Sequence, residues 1–445
     1  MPILTKTEAK ALLTKVLAYS KAEQCEVIIN NSDSGNIRYA RNSVSTSGGI
    51  STNTLVVSSA FGKKLGVATI NEFDDASLEK VVRRSEELAR LAPENPEFMP
   101  FLGPQEYGAD SPTFVEATAT MTPKERADAV QASLKETLDK KLNAAGYLSN
   151  SISSSALMNS NGLFAYNAGT DVAFNVTVRT DDGTGSGYAT RGYNDFKKLN
   201  TKADTAIAAK KALSSVNAKA LEPGKYTVIL EPTAVAVMLE NLFGALDARQ
   251  ADEGRSFMSK MGGKTKLGEQ MLDERVNIYS DPWHPELPTA TWSGDGRPQQ
   301  KVTWIEKGVV KNLSSSRYWA QKTGIKSIPA ADGFIMQGGT KSLEELIKGT
   351  EKGILVTRLW YIRSVNPQTL LLTGLTRDGT FYIENGEIKF PIKNFRFNES
   401  PIIMLNNLDE MGKTERTVSV ESNANYLLPP LKIRDFTFTS LSDAV

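Results

Sequence analysis

A strand that runs into a helix N-terminus is a good place to build an active site. The chain has such a joint at Val228–Leu242, VILEPTAVAVMLENL. The apolar run stops at Glu231-Pro232. Proline suits the first helical position, where its missing N–H costs nothing, and a carboxylate beside a helix N-terminus is favoured by the dipole. The helix expected next, TAVAVMLENLFGALDA, is apolar almost all round and so reads as buried. Only Glu240 and Asp247 in it carry a group that could act as a base or ligand. From residue types alone, the segment is a core helix.

The rarest residues limit the chemistry further. There is one histidine, His284, and one cysteine, Cys25. Zinc sites usually take two or more His or Cys ligands, so a self-contained zinc site cannot be assembled, whereas a carboxylate site for magnesium or calcium stays open. His284 lies in DPWHPELP, a rigid loop between prolines, and reads as a surface or stacked histidine rather than a base. Cys25 opens the apolar run CEVIIN and reads as a packed core thiol. The glycine cluster DDGTGSGYATRG lies between two expected strands, not before a helix, so it reads as a hairpin turn with Asp181-Asp182 solvated, not as a phosphate loop.

These residues must be positioned by a long chain. At 445 residues, two domains are expected. Basic and acidic residues nearly balance, 52 against 51, which gives no nucleic-acid footprint. No signal-peptide pattern and no bilayer-spanning apolar run is visible. The single cysteine fits a reducing cytoplasm.

The first half reads as an internal repeat. Gly66, Ala68, Thr69 and Leu78 match Gly187, Ala189, Thr190 and Leu199 at one offset (187 − 66 = 121). Helices are expected near 6–22, 75–92, 122–142 and 200–216, with alternating segments such as NTLVVSSAF and VAFNVTVRT between them as strands. The fold class is α+β. An N-terminal domain, 1–220, holds two helix–antiparallel sheet–helix units of three or four strands, about 1–95 and 120–217. They are expected to pack together, joined by the Pro-rich linker 91–113. A C-terminal domain, 221–445, is expected to be mainly antiparallel β, closed or sandwich-like. Its signals are the hairpins VTWIEKGVVKNL and TFYIENGEIKFPI, the latter with the Asn385-Gly386 turn, and the capping box Ser342/Glu345 before a stop at Gly349.

The order of these elements resembles the TldD/PmbA family, and within it the PmbA (TldE) branch. The resemblance runs end to end. It is carried by the duplicated units, the joint at 228–242, ARQADEGRSFMSKMGGKTKLGEQ, WIEKGVVKNL, MQGGTKSLEELIKGTEKGILV, TGLTRDGTFYIENGEIKFPI and the terminal LKIRDFTFTSLS. In the TldD branch the joint carries His-Glu-x-x-x-His, and a cysteine nearer the C-terminus completes a zinc site in which the glutamate is the base for metal-bound water. Matching that motif to this chain places Glu231 and Ala236 at the histidines and Pro232 at the catalytic glutamate, and TVSVESNANYLLPPLK has no cysteine.

The resemblance therefore implies a subunit without metal or catalytic residues of its own, with zinc held only by a TldD-type partner. Such a complex degrades unfolded peptides or trims leader peptides. A modulator of DNA gyrase label also attaches to the family. The polar residues Glu240, Arg249, Gln250, Asp252 and Arg255 are candidates to line a peptide channel or an interface; a solvated turn held by local ion pairs is the competing reading. A heterodimer or homodimer is expected, with RLWYIRSV and TLLLTGLT as interface strands. The alternatives are a free-standing peptide-binding or scaffold homodimer, or a hydrolase using carboxylates; no G-x-S-x-G elbow is present.

Overall fold

The computed structural model describes residues 3–442. In the first half, α1 (Lys6–Tyr19), β1 (Gln24–Ala40), β2 (Ser43–Phe61), β3 (Lys64–Ile70) and α2 (Asp75–Leu91) form one unit. After the linker and the short α3 (Glu116–Ala119) come α4 (Pro123–Leu138), β4 (Asn143–Asn159), β5 (Phe164–Arg179), β6 (Ser186–Tyr193) and α5 (Thr201–Ser214). The capping boxes Thr5/Glu8 and Thr122/Glu125 start α1 and α4.

The two units share one six-stranded sheet in the order β3-β2-β1-β4-β5-β6. They meet edge to edge, β1 antiparallel to β4, rather than by stacking sheets. The reason lies in the strand patterns. Alternate residues such as Cys25, Val27, Ile29, Ile37 and Tyr39 are buried, whereas Asn30, Ser32, Ser34 and Asn36 on the other face are polar. The four long helices cover the first face, while on the second a patch of Ile28, Leu157 and Ala165 is packed by Leu102 and Tyr107 of the linker and by Trp292. Cys25 is buried on the first face, and burial pushes its thiol up.

Gly66 and Gly187 hold equivalent places in the edge strands. A Cβ on Gly66 would lie 2.1 Å from the Ala89 nitrogen and 2.2 Å from the Ser85 oxygen; one on Gly187 would lie 2.1 Å from the Ala208 oxygen and 2.7 Å from the Ala212 nitrogen. Each glycine lets a helix backbone sit directly on its strand. The match of Leu78 with Leu199 does not hold in space. Leu78 is inside α2, but Leu199 precedes α5, because a 3-10 turn at Phe196–Lys198 and the Asn200 cap intervene.

In the second half, β7 (Gly224–Leu230) lies between Lys352–Asn366, its parallel neighbour, and Leu431–Leu441. The ladder continues through Phe395–Glu399 to Leu371–Glu384, which pairs back on Lys352–Asn366 and closes the sheet. Closure removes free edges. A second six-stranded sheet contains Val302–Glu306, Val309–Val310 and Glu415–Val418. Both hairpin turns have two left-handed residues, Lys307-Gly308 and Asn385-Gly386. The Ser342/Glu345 capping box is present, but Gly349 stops its helix at φ −81°, without left-handed geometry.

TLLLTGLT is interior: Leu370, Leu372 and Leu375 are buried in the closed sheet. Of RLWYIRSV, only Trp360, Tyr361 and Val365 are well exposed among the large apolar residues. Arg377 stacks on Trp360 and Arg363 on Tyr361. No helix among the described residues is long and apolar enough to cross a membrane.

Candidate functional site

The joint is built where β7 leaves its sheet. The Glu231 N–H donates to the Val356 carbonyl at 3.1 Å, the last link to the neighbouring strand. Pro232 then opens α6 (Pro232–Gly244). Glu231 is extended and sits at the cap position, but its carboxylate accepts nothing from the helix N-terminus. It turns instead to Lys211 of α5, whose Nζ donates to Oε2 at 2.7 Å, while Thr357 Oγ1 approaches Oε1 at 3.4 Å. Ala236, one turn into α6, is fully enclosed with Ala234, Val235 and Val237 through Leu239. α6 is a core helix, with Phe243 stacked on Phe334 at 4.0 Å between centroids.

Strand Glu415–Val418 runs past this helix. Thr417 and Thr233 hydroxyls lie 3.4 Å apart, and Ser419 donates to Glu240 at 2.5 Å. Beyond it opens a cavity of about 760 Å³ against the helix-free face of the first sheet, lined by Arg38, Tyr147, Asp171, Asn175, Val418 and Asn425 among others. Burial pushes the Asp171 carboxyl up, opposed by the charge of Arg416. Arg416 ties the strand to the first sheet: Nε donates to the Gly192 carbonyl at 2.5 Å and Nη2 to Asn194 Oδ1 at 3.2 Å.

The remaining sequence candidates divide. Glu240, Gln250 and Arg255 share the lining of a separate cavity of about 290 Å³ with Asn241 and Ser364. Arg249 and Asp252 face elsewhere. Arg249 grips Glu97 of the linker through two bonds of 2.8 and 2.9 Å, bonds Glu253 at 2.9 Å, and lies over Trp319; Asp252 accepts from the Trp319 indole at 2.7 Å. Arg255 pairs with Glu253. His284 is half-buried in its loop, its Nδ1 accepting from the Glu286 N–H at 3.2 Å, and burial lowers its pKa.

Sequence reasoning missed Lys211, Thr357, Ser419 and Asp171. Nothing in the local pattern marks them; Lys211 reads as an ordinary basic residue in the last turn of a helix.

The comparisons with known proteins bear on this geometry. Three segments match successive parts of one family: PmbA/TldA metallopeptidase domain 1 over 25–89, the central domain over 118–216 and the C-terminal domain over 223–440. The chain belongs to the TldD/PmbA metallopeptidase family. A Methanothermobacter thermautotrophicus protein named Metalloprotease is 25% identical over 287 residues, covering 59% of this chain and 61% of that one. Metalloprotease PmbA of Escherichia coli O157:H7 is 25% identical over 237 residues, 51% of this chain and 50% of that one. The chain thus matches between about half and three fifths of the length of these relatives. In fold, it is similar to TldE from Thermococcus kodakarensis, with a TM-score of 0.86 at 20% identity, over 97% of this chain and 99% of that one.

A metallopeptidase joint needs neutral or anionic donors converging on one point. The residues here do not fit zinc. Proline and alanine at 232 and 236 have no side-chain donor, and the one carboxylate, Glu231, is held by an ammonium that would repel a cation. Among the described residues, no three His, Cys, Asp or Glu side chains gather as a metal site.

Proposed function

We propose that this chain is a TldE-type subunit of a TldD/TldE-type metalloprotease complex, acting on unfolded or leader peptides in the cytoplasm and not catalytic by itself. The observation that carries the reading is the joint itself, in which Lys211 pairs with the carboxylate of Glu231 and the side chains of Pro232 and Ala236 have no group that could activate water. Zinc would come from a TldD-type partner; a relative in Saccharolobus solfataricus, 24% identical over 228 residues, is named Zinc metalloprotease TldD homolog. The exposed Trp360-Tyr361 pair, backed by Arg377 and Arg363, has the composition of an interface anchor.

The test has two arms. Light scattering of the chain alone, then mixed with a TldD-type protein, is expected to give a dimer mass in at least the second case. The mixture is expected to cleave a disordered polypeptide where this chain alone does not. Chelator-resistant cleavage by the chain alone would overturn the reading in favour of a carboxylate hydrolase. A homodimer that ignores the partner would favour the free-standing scaffold.

A further inference from the structure

The first sheet contains its own comparison. β1 and β4 meet about a local two-fold, with Asp33 opposite Ile152. Strand pairing makes β2 and β5 twins: Val57 faces Ala68 in β3 as Val176 faces Ala189 in β6, an offset of 119 (176 − 57 = 119). The twins are not treated alike. β2 pairs with β3 only from Leu55 onward, so among the described residues Ser43–Thr54 has β1 on one side and no strand on the other. β5 is equally unpaired with β6 before Val172. There, however, the segment Ser111–Val115, bent at Pro112, lies along the edge. Thr170 N–H donates to the Thr113 carbonyl at 3.0 Å, and Thr113 Oγ1 donates to the Ala168 carbonyl at 2.6 Å.

At the same offset, Ala168 and Thr170 correspond to Gly49 and Ser51. These lie on the bare edge, where Ser43 to Thr52 are all exposed. Free edges are normally blunted by charge, proline or a bulge. From Ser43 to Thr54 the sequence SVSTSGGISTNT has no charge and no proline, and the β1–β2 register breaks only near the hairpin tip, at Arg38/Tyr39.

We infer that the β2 edge around Gly49 and Ser51 is a docking site for an extended, uncharged segment of another polypeptide, held by backbone hydrogen bonds of the kind that the Thr170 N–H makes to the Thr113 carbonyl on the twin edge. Strand addition of this kind reads backbone more than side chain, and the small residues Ser47, Gly48, Gly49 and Ser51 leave both faces of the strand clear for the incoming chain. The site stands on the sheet alone, and it holds whether or not a zinc-bearing partner exists.

The probe is a labelled synthetic peptide of the uncharged stretch Ser111–Val115 of this sequence, the twin's own occupant. It is titrated into the full chain by fluorescence anisotropy, with hydrogen exchange read on the complex. Binding is expected to slow exchange at the Gly49 and Ser51 amides. Gly49→Pro removes an outward donor at an edge and is expected to weaken binding about tenfold or more, as the loss of ~1.4 kcal/mol does. Ile50→Lys, which places a charge on the strand without touching its backbone, should act in the same direction, and circular dichroism checks that both variants fold. Three outcomes would overturn the assignment: protection confined to β5, binding unchanged in both variants, or a wild-type dimer that either variant makes monomeric, which would make the occupant a second copy of this chain.

Discussion

Lys211 Nζ and Glu231 Oε2 lie 2.7 Å apart, with each side chain only 14% exposed. The pair joins the last turn of α5 in the first half to the entry of the joint helix in the second. A charge in this position costs desolvation that only its partner offsets.

Removing one partner should therefore be worse than removing both. Lys211→Met leaves Glu231 enclosed and unpaired, and is expected to destabilise by roughly 3 kcal/mol. The double variant Lys211→Met, Glu231→Gln should recover much of that loss. Denaturant unfolding of the four proteins gives the coupling directly. Additive losses would show that the pair is not coupled.

The strand glycines give a second expectation. Gly66→Ala and Gly187→Ala each drive a methyl into helix backbone and should cost ~2 kcal/mol or more through forced separation of strand and helix. Gly48→Ala, where a Cβ meets nothing within 4 Å, should be neutral or slightly stabilising. Thermal midpoints of the three variants decide this, and equal effects at all three sites would refute it.

Asp171 supplies a pH dependence. Burial raises its carboxyl, so the folded state binds that proton more tightly than the unfolded chain does. Its contribution to stability is complete below the ordinary aspartate range and is lost as pH rises through the folded value. Asp171→Asn removes the titration. Its thermal midpoint should lie near that of the parent in acid and rise above it toward neutral pH. A gap of constant size across the range would mean that the proton is not involved.

The joint predicts its own metal content. After extensive dialysis against chelator-free buffer, metal analysis of the purified chain should find no stoichiometric zinc, because the two histidine positions carry an ion-paired carboxylate and an alanine, and the position of the base carries a proline. One tightly held zinc per chain would contradict this. If His284→Ala abolished that zinc, the ligand would be traced to the proline-flanked loop.

What the sequence determined is whatever depends on neighbours along the chain. The strand-to-helix turn at Glu231-Pro232, the hairpin at Asn385-Gly386, the Ser342/Glu345 cap and the buried Cys25 all follow from local propensity and periodicity, and they appear where residue types place them. Family membership was legible in the order of such pieces. Contacts between distant segments were not legible, because periodicity shows which face of an element is buried and not what it is buried against. Thus the Leu371–Glu384 strand, rich in leucine, looked like an interface and proved to be one wall of a closed sheet. Only the tertiary structure brought Lys211 onto Glu231, seated Arg416 on Gly192, gave Arg249 to Glu97, and laid Thr113 along one twin edge while leaving Gly49 and Ser51 on the other uncovered.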